Sequence, residues 1–116
     1  MKVLKFGGTS VGSAQRMKSV AGLICDGSQK IVVLSAMSGT TNTLVEISDY
    51  LYKKNPDGAN EVINALERKY QQVICELFDT EAYRQQALDA VKTNFDTMRS
   101  FTKDLFTMFE EKVILA

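Results

Sequence analysis

The sequence predicts an α/β fold: one parallel βαβ unit over residues 1–42, then a helical segment over residues 43–112, with the sheet left incomplete in this chain. Three observations carry that prediction. Residues 2–6 form a short, strand-like run that stops at Gly7-Gly8. Ile31-Val32-Val33-Leu34 is a continuous, β-branched apolar run, the pattern of a strand buried on both faces of a parallel sheet. Beyond residue 43 the apolar residues recur at helical spacing almost to the end of the chain.

Each element has a local reason. Ser13 is placed to cap a helix over about residues 14–26, with Met17, Val20, Ala21 and Ile24 on its buried face and Gly27 as its stop. Strand, helix and strand make a βαβ unit, expected to be right-handed with its strands adjacent or one place apart. Leu44, Ile47, Ser48 and Leu51 mark a helix over about 41–54, stopped by Asn55-Pro56. Val62, Ile63, Leu66, Tyr70, Val73, Ile74 and Leu77 mark another over about 58–78. Thr80 can cap a third, whose residues 88, 91, 95, 98, 102, 105 and 109 form a heptad-like stripe with Thr102 as its polar exception. Antiparallel packing within the domain explains that stripe more simply than a free coiled coil. Val113-Ile114-Leu115-Ala116 begins a further apolar run, so a cut end, rather than a natural terminus, is expected.

Composition narrows the function. The 14 basic and 14 acidic residues balance, which offers no electrostatic case for a nucleic-acid or membrane partner. No apolar run reaches transmembrane length and no signal peptide is read at the start, so a cytoplasmic location is expected. The chain has no histidine, which excludes Ser-His-Asp and Cys-His nucleophiles within it. Cys25 and Cys75 lack metal-ligand spacing and read as reduced core or boundary residues; no metal ligands are assigned.

The chemistry-bearing segment is Lys5-Phe6-Gly7-Gly8-Thr9-Ser10-Val11, at a strand end and just before a helix. Glycines let a ligand approach the backbone, successive N–H groups favour an anion, and lysine adds a mobile charge with three donors. A plain strand-to-helix turn is the competing reading. Lys5 precedes the glycines, so G-x-x-x-x-G-K-S/T fails; Thr9 holds the middle glycine place of G-x-G-x-x-G, so that pattern fails too. The second loop, Ser35-Ala36-Met37-Ser38-Gly39-Thr40-Thr41-Asn42, has four hydroxyls and a glycine after a buried strand. It can donate to a carboxylate or phosphate, or Thr40 or Thr41 can simply cap the next helix. Both loops fall at the carboxyl edge of the strands, where ligands bind in such sheets.

K-F-G-G-T-S-V over residues 5–11, with V-V-L-S-A-M-S-G-T-T-N over residues 32–42, resembles the start of an aspartate kinase. The resemblance implies the N-terminal part of the three-layer αβα fold of the amino-acid kinases. It implies ATP-dependent phosphorylation of the L-aspartate side chain to 4-phospho-L-aspartate, the first step toward lysine, threonine and methionine, with ATP as co-substrate and Mg2+. By the same resemblance Lys5 contacts the transferring phosphate, Gly7 and Gly8 cradle it, and Phe6, Thr9 and Ser10 line the turn. Ser35 and Thr41 match positions that contact aspartate, and Met37 is assigned no role. The family's Gly-Glu motif, later strands, adenine pocket and ACT regulatory domains are not in these residues. The piece alone is therefore expected to be inactive, and exposed sheet edges and apolar helix faces lead us to expect a homo-oligomer. The alternatives are another amino-acid kinase, the kinase part of a bifunctional aspartokinase–homoserine dehydrogenase, and, in a different class, a non-catalytic helical self-association module built on the stripe.

Overall fold

The computed structural model of the chain describes residues 1–115, with side chains through residue 108. β1 (Lys2–Phe6) and β2 (Lys30–Leu34) lie side by side in parallel, in register from Lys2 opposite Lys30 to Phe6 opposite Leu34. The Ser35 N–H extends the ladder by donating to the Phe6 carbonyl at 3.0 Å. A parallel pair needs a crossover, and α1 (Ala14–Ile24) supplies it. The Ser13 hydroxyl caps α1 by accepting the Arg16 N–H at 3.2 Å.

The predicted stop of α1 at Gly27 comes two residues late. The Asp26 carboxylate accepts from the Ser28 N–H and hydroxyl and pairs with the Lys30 ammonium. These bonds, that to Lys30 first, hold the Asp26 carboxyl well below the usual carboxylate range. Lys30 also donates to the Ile24 carbonyl at 2.7 Å. A lysine from the next strand thus satisfies a terminal helix carbonyl, and Gly27, at φ +80°, turns the chain beyond the helix rather than closing it. The cysteines depart from expectation in burial alone: Cys25, just after α1, and Cys75 are free but exposed.

α2 (Thr40–Tyr52), α3 (Pro56–Leu77) and α4 (Glu81–Leu115) make the helical segment. Asn55-Pro56, read in the sequence as the end of α2, instead starts α3. The Asn55 side chain accepts the Gly58 N–H at 3.0 Å and Pro56 occupies the first turn, where its missing N–H costs nothing. α4 continues through the apolar run at 113–115, and Ala116 lies outside the described residues.

α3 and α4 are antiparallel. Tyr70 and Phe95 meet edge to face, with ring centroids 5.7 Å apart, and Arg99 reaches back to Asn64 and Glu67. Ile47, Ala59, Ile63, Leu66 and Phe95 form the core, flanked by Tyr50, Leu51, Val62, Tyr70, Val91 and Met98. Val91, Phe95 and Met98 of the stripe on α4 are therefore used within the chain. The stripe's polar member, Thr102, is buried and donates to the Met98 carbonyl at 2.9 Å, so no buried hydroxyl is left unpaired there. Phe109, the last stripe residue, lies beyond the described side chains.

The main core thus sits among the three later helices, not at the sheet. Val3 is 65% exposed, Ile31 50% and Val33 45%, so the expectation of a strand buried on both faces fails within this chain. Burial on two faces needs layers on both sides of the sheet, and among the described residues one face stays open. Registered neighbours in a parallel pair share a face, which places Lys5, beside Val33, on this open side. The molecule measures 61 × 31 × 19 Å with a radius of gyration of 17.9 Å, against about 13 Å for a compact domain of this length. The 35-residue α4, about 52 Å long, accounts for the elongation.

Candidate active site

Two loops leave the carboxyl ends of the paired strands and touch each other. In the first, the Gly7 carbonyl accepts the Ser10 N–H at 3.1 Å and the Thr9 carbonyl accepts the Gly12 N–H at 3.2 Å. The Arg16 guanidinium also donates to the Thr9 carbonyl, at 3.2 Å, tying the turn to α1. Among the described residues no backbone bond engages the N–H groups of Gly7, Gly8 or Thr9. These three consecutive donors, before a helix N-terminus, suit an anion.

The loops are joined by the Ser38 N–H, which donates to the Gly8 carbonyl at 3.2 Å. A Cβ on Gly8 would lie 3.0 Å from the Ala36 carbonyl oxygen and 3.5 Å from Ser38 Cα. Gly8 is therefore required by loop-to-loop approach, in addition to any ligand. A Cβ on Gly7 would meet nothing within 4 Å, so packing leaves that glycine's surroundings accessible. Gly8→Val is expected to separate the loops and destabilise the chain by about 1–3 kcal/mol, as overpacking does. Thermal unfolding followed by circular dichroism checks this, and a melting temperature equal to that of the unsubstituted chain would refute the contact.

The residues singled out from the sequence fall around these loops. Lys5, the residue before the last of β1, is exposed on the open sheet face, and among the described residues no hydrogen bond or ion pair engages its ammonium. Phe6 is half-buried against the second strand; Thr9 is exposed and Ser10 half-buried. Ser35 follows β2 directly and is exposed. Thr41 lies exposed in the first turn of α2. Neither Thr40 nor Thr41 caps that helix. Gly39 does so without a side chain, at φ +87°, a left-handed conformation that favours glycine. Thr40 is buried instead, its hydroxyl 2.7 Å from that of Tyr70, and Met37 is buried too.

Sequence reasoning missed the contribution of α3. Lys69 donates to the Ser38 carbonyl at 3.0 Å, and Tyr70 holds Thr40. Tyr70 read only as a member of an apolar helix face, and Lys69 gave no signal, since a lysine beside such a face is ordinary. Lys5, Arg16 and Lys69 thus bring three basic side chains to this end of the molecule, two of them on loop carbonyls. That charge suits a phosphate or carboxylate ligand. Among the described residues no three Asp, Glu, His or Cys side chains gather as a metal site, so none is assigned to magnesium.

The amino acid kinase family model matches residues 1–115. The chain belongs to the amino acid kinase family. The mixed α/β arrangement of two parallel strands and four helices described above is consistent with part of that family's fold. Aspartokinase 1, chloroplastic, of Arabidopsis thaliana is 44% identical over 62 residues, covering 52% of this chain and 11% of the relative. Aspartate kinase of Pseudomonas fluorescens is 50% identical over 50 residues, covering 40% of this chain and 12% of its own. The bifunctional aspartokinase/homoserine dehydrogenase of Buchnera aphidicola is 28% identical over 113 residues, covering 93% of this chain and 14% of the relative. This amino acid kinase chain therefore spans only a small part of the length of these relatives. Kinase chemistry is the function class they support. Among the described residues no helix is long and apolar enough to cross a membrane.

Proposed function

We propose that this amino acid kinase segment forms one side of the active site of an aspartate kinase. The observation that carries the reading is the Gly8–Ser38 hydrogen bond, which joins the Lys5–Ser10 segment to the Ser35–Thr41 segment at adjacent strand ends. One loop suits the phosphates of ATP and the other the carboxylates of L-aspartate, so donor and acceptor meet across that contact. A side-chain carboxylate oxygen of aspartate attacks the γ-phosphorus, the bond to the ADP oxygen breaks, and 4-phospho-L-aspartate and ADP result.

The chain's residues position the reactants and neutralise charge, which is most of what phosphoryl transfer asks of a protein. Lys5 supplies a positive charge to the transferring phosphoryl group, and the free N–H groups of Gly7, Gly8 and Thr9 supply fixed donors to it. Phe6 and Ser10 line the same turn, and Ser35 and Thr41 donate to aspartate. Magnesium would neutralise phosphate charge when bound with ATP; the side chains described here gather no ligand set for it. The remaining parts of the site come from kinase segments outside residues 1–116, and the segment by itself turns over little or no substrate. The same reading serves a kinase fused to homoserine dehydrogenase, the arrangement named for the Buchnera relative. The self-association alternative has less of the stripe to rest on, because Val91, Phe95 and Met98 pack in the core with α2 and α3.

Calorimetric titration of the chain with Mg-ATP, L-aspartate and L-glutamate, each separately, tests the reading. Binding of Mg-ATP and of aspartate, with none of glutamate, is the expected result. A folded chain that binds glutamate in preference to aspartate, or that binds neither ATP nor aspartate, would remove the half-site from these two loops.

A further inference from the structure

The second loop is held by two consecutive residues of α3. The Ser38 peptide is fixed on both sides: its N–H donates to Gly8 of the first loop, and its carbonyl accepts from Lys69 Nζ at 3.0 Å. Next comes Gly39, at φ +87°, where the chain turns into α2, and a Cβ there would lie 3.6 Å from Lys69 Nζ. Then comes Thr40, buried, with its hydroxyl 2.7 Å from the Tyr70 hydroxyl. Tyr70 is itself fixed edge to face on Phe95 of α4. Among the described residues no carboxylate pairs with Lys69, so its one bonding partner is a neutral carbonyl of this loop. A solvated lysine has little reason to give up side-chain freedom for a single surface carbonyl unless that carbonyl's place matters.

We propose that Lys69 and Tyr70 are positioning residues for the amino-acid substrate. Together they clamp the loop between Ser35 and Thr41, so that α3 sets the fit of the carboxylate-bearing acceptor and leaves the nucleotide loop to Lys5 and the glycines. This rests on the aspartate kinase reading for the identity of the ligand, but the clamp itself is a property of the chain.

Amide hydrogen exchange on the whole chain tests it, comparing the unsubstituted protein with Lys69→Met, Lys69→Arg and Tyr70→Phe. Lys69→Met keeps the apolar stem and removes the donor. It is expected to speed exchange at Ser38 and Thr40 by about three- to tenfold, the size of one hydrogen bond's net contribution. Lys69→Arg should restore the slow rates, and Tyr70→Phe should speed Thr40 and its neighbours. Amides of Ile63, Leu66 and Phe95 should be unchanged throughout. Loop rates equal in all four proteins would overturn the clamp. So would acceleration spread evenly through α3 and α4, or a failure of arginine to restore the loop. A further arm adds L-aspartate to the unsubstituted chain and to Lys69→Met. Slowed exchange over residues 35–41, needing more aspartate in Lys69→Met, supports the clamp as substrate positioning. Lys69-dependent protection with no response to aspartate would overturn the substrate assignment and leave the clamp standing.

Discussion

Phe95→Ala will destabilise the chain by about 3–5 kcal/mol, the usual cost of deleting a buried aromatic side chain. Phe95 is 4% exposed and is the residue through which α4 enters the core built by Ile47 of α2 and Ala59, Ile63 and Leu66 of α3. The loss combines the ring's transfer from water with the cavity left behind, because helix backbones close such a gap only partly. Domains of this size have about 5–15 kcal/mol of net stability, so the substitution removes a large share of it. Urea denaturation followed at the helical circular dichroism band measures the effect. Tyr83→Ala, at a 62% exposed position on the same helix, serves as a control expected to stay within about 0.5 kcal/mol. A Phe95→Ala loss below about 1 kcal/mol would show that the antiparallel α3–α4 packing is not what holds the segment together. The consequence reaches the site, because the Tyr70 ring rests against Phe95 and its hydroxyl meets Thr40 at the start of α2.

The elements were legible where one residue type has one dominant use. A β-branched run between turn residues reads as a strand, and β2 covers it with one residue added. Ser13 reads as a cap and is one. The α3 face read from Val62 to Leu77 is buried or half-buried at every position named. Legibility failed where a residue has two uses. Asn55-Pro56 can end a helix or begin one, and the choice depends on where the Asn55 carboxamide finds an N–H. Thr40 could cap α2 from its sequence position, but the Tyr70 hydroxyl, 30 residues away, takes its side chain and leaves the cap to Gly39. The same holds for the candidate site. Both loops were visible as glycine and hydroxyl clusters after strands. Their direct contact through Gly8 and Ser38, and the grip of Lys69, are tertiary facts with no local signature. Burial of β2 on both faces was inferred from composition, and composition cannot say which segment supplies the second layer.

On the proposed aspartate kinase reading, Lys5→Ala lowers turnover of a kinase that contains this segment by about 10²- to 10³-fold, the usual loss when one preorganised charge-stabilising donor is removed. The effect should fall on kcat, with the KM for L-aspartate little changed. Lys5 stands near the carboxyl end of β1, two residues before the first of the free N–H groups of Gly7, Gly8 and Thr9, while Ser35 and Thr41 belong to the other loop. Its side chain is bound to nothing among the described residues, so the substitution breaks no internal bond and should leave stability close to unchanged. That separates chemistry from folding in a way that few site substitutions allow. Charge on the transferring group changes most between ground and transition states, so a cation placed there acts on kcat rather than on uniform binding. Steady-state rates of aspartate-dependent ADP release, with ATP and aspartate varied in turn, give the split. A raised KM for ATP with unchanged kcat would make Lys5 a ground-state ligand of the nucleotide. Unchanged kinetics in both substrates would remove Lys5 from the site, and with it the assignment of the first loop to the phosphates.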